Sequence, residues 1–249
     1  IKFTSVIMLR IINVLSNAVS GIILARWLDL NNRGNIALIS AMIGVAVVLI
    51  SSPRGEEILR KNRLLHHPIQ ERIIYFNVPV IFCVLVLTTG WIYFVGNIHL
   101  SNFGIIMFGA IVICSSITSL EQAYIFHKLK SVGNQAITTS HSLILMTFLS
   151  TLFITLGSGM YEWLSVIFLS EIILLSFLHK MNVNTRIKIR WKFSVKRHNV
   201  KKSFQALKSE SISVYQASFF LPSLIIFVSV FLDFDSLAHF TVGMSLSSL

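Results

Sequence analysis

The 249 residues carry 21 Lys and Arg against 10 Asp and Glu, a formal net charge of +11, with 54% hydrophobic and only 12% charged residues. An ordinary soluble domain carries roughly 25% charged residues, and a water-exposed chain with a mean hydropathy of +0.76 would present large aggregation-prone patches, so composition excludes a soluble domain and implies an integral membrane protein. Cys83 and Cys114 both lie in apolar runs and read as small hydrophobes, no Cys/His spacing suggests a metal site, and the first apolar run lacks a small-residue cleavage site and is followed by many more, which argues against a cleavable signal peptide.

A spanning helix needs roughly 20 apolar residues to cross about 30 Å of hydrocarbon. On that ruler the chain divides into seven spans and a partial eighth, over residues 3–28, 35–52, 73–95, 103–126, 140–156, 163–178, 204–232 and from 237 onward. Barrel strands would instead alternate over segments of about 10 residues; these runs are continuous, so the expected fold class is all-α, a polytopic helix bundle. Pro79 and Pro222 fall inside spans three and seven, where each is expected to remove one backbone hydrogen bond and kink its helix. The chain opens on Ile1 rather than Met and stops inside an apolar run, 239–249, which leads to the expectation of a longer protein.

The basic residues orient the spans. Eighteen of the 21 Lys and Arg precede span one or follow spans two, four and six, whereas only Arg26 and Arg33 fall in the opposite loops and Arg10 lies within span one. The positive-inside rule then predicts a cytoplasmic N-terminus and cytoplasmic exits for the even-numbered spans. The surplus positive charge suits an anionic leaflet rather than nucleic acid, which is not expected as a partner. Within the last basic segment, Ile187, Ile189, Trp191, Phe193 and Val195 alternate with Arg186, Lys188, Arg190, Lys192 and Lys196. That is the strand period, read as an extended ribbon on the cytoplasmic surface or a loop packed on its own helices. It also separates the first six spans from the rest, as an inter-lobe linker would.

The outer loops are about six to ten residues long, and the chain holds no HExxH, GxSxG, Walker A or paired-carboxylate motif. No enzyme activity and no cofactor are therefore expected, and an ATP-driven pump would need its ATPase on another chain. The remaining signal lies in polar residues within spans, which are costly there and face a cavity or a partner. Arg10, Asn13 and Asn17 share one face of span one; Arg10 either snorkels to the headgroups or lines a cavity as an anion ligand. Ser115, Thr118, Ser119 and Gln122 share one face of span four, which either lines a wet path or packs closely, and Glu121 follows towards the cytoplasmic end. Glu171, beside Ser170, sits midway along span six; it should pair with Arg10 or another cation, or carry a proton. Glu210, Ser213 and Gln216 open span seven near the interface, where solvation suffices. Small residues at Ala18, Gly21, Ala25, Ser40, Ala41 and Gly44 predict close helix contacts.

The stretch 21–38, G-I-I-L-A-R-W-L-D-L-N-N-R-G-N-I-A-L, resembles the end of the first span and the start of the second in Wzx-type polysaccharide flippases, which often show A-R-x-L-G-x-x-x-x-G there. Ala25, Arg26, Leu28 and Gly34 match, and Asp29 stands where the family often has Gly. The rest agrees in pattern: short paired loops, a basic segment after span six and a Pro-bearing seventh span. The resemblance implies a MATE-like exporter with two six-helix lobes around a central cavity. Residues 1–180 would form the N-terminal lobe, 181–203 a basic cytoplasmic linker and 204–249 the start of the second lobe.

It further implies alternating-access translocation of an undecaprenyl-pyrophosphate-linked oligosaccharide across the bacterial inner membrane. Membrane lipid, the lipid-linked oligosaccharide and a polysaccharide polymerase complex would be its partners. Arg10 and Arg26 would grip the pyrophosphate, since guanidinium binds phosphate oxygens in a fork. Asn13, Asn17, Ser119 and Gln122 would contribute to substrate binding, Glu171 would couple an ion, and no metal or catalytic residue is expected. The alternatives are a cation-coupled multidrug exporter of the same fold, a membrane glycan polymerase or ligase, and a non-catalytic scaffold.

Overall fold

The computed structural model describes residues 2–64, 71–128, 131–155, 157, 159–184, 188–194, 222–232, 235–237 and 239–240. Six helices and two strands follow in the order α1 (Lys2–Trp27), α2 (Leu30–Leu64), β1 (Glu71–Asn77), α3 (Val78–Phe94), α4 (Asn102–Lys128), α5 (Ser131–Thr155), α6 (Met160–Asn184) and β2 (Lys188–Ser194). Residues 222–229 are helical as well. Four stretches are long and apolar enough to cross a membrane, Val6–Leu24, Asn32–Ser51, Asn102–Gln122 and Met160–Met181, and two shorter apolar helices cover Val78–Phe94 and Ala136–Leu152. The protein is thus a multi-pass helical membrane bundle. Most of the seventh and eighth expected spans lies outside the described residues.

Several expected boundaries need correction. Helix α2 does not stop near residue 52; it continues through the charged stretch to Leu64. An α-helix satisfies its own backbone hydrogen bonds, so it can leave hydrocarbon without ending, and Glu, Leu, Arg and Lys favour it there. Helix α5 begins nine residues before the expected 140, at Ser131, for the same reason. Residues 73–77, expected to open span three, are strand β1, and α3 starts at Val78. Pro79 is therefore in the first turn of α3, where the missing N–H has no partner to lose, and the expected mid-span kink does not arise. The all-α expectation is modified by the β1–β2 ribbon.

Strands β1 and β2 pair in parallel, Glu71 opposite Lys188 through Asn77 opposite Ser194. The period-two pattern is thus a strand with a partner rather than a lone ribbon. Parallel strands need a crossover, and here the crossover is α3 to α6. Both strands sit at one end of the bundle, so an even number of crossings separates them. The helix packing agrees. Thr139 Oγ1 donates to the Leu9 carbonyl at 3.0 Å and Ser142 Oγ to Asn13 Oδ1 at 2.7 Å, so α1 and α5 run parallel. Glu171 of α6 lies near Cys114 of α4 and His179 near Glu121, so α4 and α6 run parallel too. That is the alternation read from the basic residues.

The core lies where α2, α4 and α6 meet. Leu38, Ile39, Ala46, Phe108, Ile111, Val112, Leu164 and Val166 are fully buried there. A Cβ on Gly96 would lie 2.5 Å from Leu38 Cδ2 and 2.9 Å from the Ile92 carbonyl oxygen, so only glycine lets the end of α3 approach α2 this closely. Asn97 follows in the left-handed region, φ 48°, which Asn tolerates. Gly44 of α2 faces Pro222, 3.4 Å from a built Cβ, so a predicted small-residue contact joins α2 to the 222–229 helix. At the end opposite the ribbon, Trp27, Trp91, Tyr93 and Phe103 are exposed, as aromatic residues are at a membrane interface. The Ser101 N–H donates to the Tyr161 hydroxyl at 3.1 Å, tying the α4 and α6 starts together.

Candidate functional site

Most hydroxyls in the helices are spent locally. Ser16, Ser20, Ser40, Ser116 and Ser165 each donate to the carbonyl four residues back at 2.7–2.9 Å, as hydroxyls in apolar surroundings do. Ser170 donates to the Ile167 carbonyl at 2.8 Å and so does not address Glu171. A smaller set of polar groups links different helices instead.

Glu171 is 9% exposed. His141 of α5 brings Nε2 to 3.6 Å from Glu171 Oε1, an ion-pair distance for a protonated imidazole and too long for a hydrogen bond. The His141 Nε2 and Glu171 Oε2 atoms are buried without a hydrogen-bond partner. Next to His141 in sequence, Ser142 makes its bond to Asn13 of α1. Helix α5 thus carries polar groups towards both neighbours, His141 towards α6 and Ser142 towards α1. A second carboxylate–imidazole pair lies closer to the ribbon: Glu121 of α4, 1% exposed, has Oε1 3.5 Å from His179 Nδ1 of α6. Thr118, one turn before Glu121, is buried with its hydroxyl unpartnered.

The other sequence candidates are dispersed. Arg10 and Asn17 are exposed on α1, Asn13 is half-buried against α5, and Arg26 is exposed at the far end of α1. Sixteen residues of helix hold the two arginines roughly 24 Å apart along α1, so they do not share one site. Ser119 and Gln122 are half-buried on α4. The ionisable side chain beside Glu171 is His141, not Arg10. Arg33, at the same end of the bundle as Arg26, donates from Nε to the Leu28 carbonyl at 2.7 Å and fastens the two-residue turn between α1 and α2.

Sequence reasoning missed His141 and His179. Each is an ionisable residue inside or at the end of an apolar run, and that alone marked Arg10 and Glu171 for attention. Both thiols are free, and neither is the small buried hydrophobe that its apolar run leads one to expect: Cys114 is half-buried and Cys83 is exposed. Among the described residues no group of three or more His, Cys, Asp or Glu could hold a metal ion. The chemistry within reach of the two pairs is proton exchange between imidazole and carboxylate. No family model, no curated protein and no solved structure matches the chain.

Proposed function

We propose that the protein is a flippase for an undecaprenyl-pyrophosphate-linked oligosaccharide in the bacterial inner membrane, working by alternating access. The observation that carries this reading is the shortness of the connections at the end opposite the ribbon. Only Leu28 and Asp29 join α1 to α2, residues 95–101 join α3 to α4, and 156–159 join α5 to α6. Among the described residues that end offers no platform for a glycan acceptor, so the bundle itself is the working part, which favours transport over polymerisation or ligation. The A-R-x-L stretch with Arg26 exposed at that end supports a glycan lipid as cargo. In this reading 1–180 is the first lobe, 181–203 the linker and 204–249 the opening of the second, with the N-terminus cytoplasmic. The Glu171–His141 pair also favours a second reading, a cation-coupled exporter of the same fold.

Deleting the gene is expected to deplete surface polysaccharide and accumulate lipid-linked repeat units on the inner leaflet. The wild-type gene should restore the polysaccharide, whereas Arg10→Ala should lower the yield about tenfold, the rate effect of roughly 1.4 kcal/mol. Single unpolymerised units displayed on the cell surface would assign a polymerase instead. Unchanged polysaccharide with altered drug resistance would assign the exporter.

A further inference from the structure

Both carboxylate–imidazole pairs have a member on α6: Glu121–His179 joins it to the parallel helix α4, and Glu171–His141 joins it to α5. On α4, Cys114, Thr118 and Glu121 follow at i, i+4 and i+7 and share a face. On α6, Glu171 stands near Cys114, and His179 stands opposite Glu121. Eight residues along α6 separate the two pairs by about 12 Å.

The pairs differ in access. The His179 side chain is 58% exposed near the ribbon end, whereas its partner Glu121 is 1% exposed. Glu171 is nine-tenths buried at mid-helix with Oε2 unpartnered, and Thr118 between the pairs is buried with its hydroxyl unpartnered. Leu174 and Leu178 of α6 and Ile137 of α5 form a buried apolar cluster on the same stretch. A hard metal cation takes about six or more oxygen ligands, and the Glu171 site offers one carboxylate, one imidazole and one thiol. A buried carboxylate is far cheaper to hold when a proton neutralises it or turns its imidazole partner into a counter-ion, and the imidazole–carboxylate pair has room for one such proton.

We propose that the two pairs form one proton pathway along α4 and α6. His179 and Glu121 take up a proton at the ribbon end, Thr118 relays it, and Glu171 with His141 holds it at mid-bundle. The proton moves as H⁺ between existing lone pairs, so no bond between heavy atoms forms or breaks and no co-reactant is needed. The titratable groups facing Glu171 are His141 from α5 and Cys114 from α4. Beside Glu121 stands His179 of α6. Only the use of this proton to drive export rests on the transporter reading.

The test is infrared difference spectroscopy of the purified protein in lipid nanodiscs during acidification, with no substrate present. Among the carboxylic-acid C=O bands that appear on acidification, one component should be missing in Glu171→Gln, and that component is the Glu171 band. Glu171→Asp should restore it at a shifted frequency, which guards against a misfolded Gln variant. His141→Gln should keep the band and move the pH range over which it appears. Glu121→Gln and His179→Asn should keep the band and slow its hydrogen–deuterium exchange about tenfold, or roughly 1.4 kcal/mol on the barrier. A Glu171→Gln difference spectrum with the same carboxylic-acid components as the wild type overturns the storage site. An unmoved pH range in His141→Gln overturns the pairing. Unchanged exchange in both Glu121→Gln and His179→Asn overturns the entry route. Because the readout needs no cargo, it can fail while the flippase reading stands, and the reverse.

Discussion

Helices α1 and α2 are joined by two residues and have similar hydropathy over their apolar windows, 1.8 and 2.2, yet 11% of the first window and 61% of the second is buried. Hydropathy records that both enter the bilayer; it does not record which neighbours they meet. Helix α2 sits against α4 and the 222–229 helix and supplies much of the core. Helix α1 touches mainly α5 and leaves Met8, Ile11, Leu15 and Ile22 exposed. In a membrane such a surface is solvated by lipid tails as well as by protein, so its apolar character costs nothing and specifies little. The specific part of α1 is its polar bonds to α5, through Asn13 and the Leu9 carbonyl.

The largest test of this contrast is a pair of truncations. Phe108→Ala, in the α2–α4 core, should destabilise the protein by about 3–5 kcal/mol. Leu15→Ala on α1, 59% exposed, should change stability by less than about 0.5 kcal/mol. Reversible unfolding in mixed detergent micelles measures both, and equal losses would show that α1 has a partner of its own.

A pair of glycines gives a smaller difference. Gly96→Ala drives a methyl into Leu38 and the Ile92 carbonyl and should cost about 1–3 kcal/mol, whereas a Cβ on Gly21 of α1 meets nothing within 4 Å. Gly21→Ala should therefore be neutral, or stabilise α1 by up to about 1 kcal/mol through helix propensity.

The smallest expected effect separates the polar contacts of α1. Ser142→Ala removes the hydrogen bond to Asn13 and should cost about 0.6 kcal/mol, a typical value for an interhelical bond in a membrane, while Asn17→Ala should leave unfolding unchanged. A disulfide between Leu9→Cys and Thr139→Cys, formed with an oxidant and read on a gel, would confirm the α1–α5 register independently.

What the sequence made readable was the set of helices and their alternation, because both follow from runs of apolar residues and from the placement of Lys and Arg. It missed features that depend on distant partners. Residues 73–76, I-I-Y-F, merge with span three in any hydropathy window; they become a strand because 188–194 pairs with them. The charged end of α2 read as a loop because charge marks the exit from hydrocarbon and not the end of a helix. For the candidate site, Glu171 stood out as a mid-span carboxylate, but its partner could not be chosen from the sequence. His141 is thirty residues earlier on another helix, and only packing brings it to 3.6 Å. Arg10 was the stronger charge and the wrong neighbour, because α1 packs on α5 and not on α6.

The parallel pairing of β1 with β2 has a consequence for how the chain is made. Seven residues near the start of the third helix must wait until residue 194 has left the ribosome before they find their hydrogen-bond partners. They find them only if an even number of the helices in between crosses the membrane. One hairpin left uninserted still lets the strands meet; one helix left uninserted or reversed strands them on opposite faces of the membrane. The ribbon therefore reports the parity of insertion, closing only when an even number of the helices α3–α6 crosses the membrane.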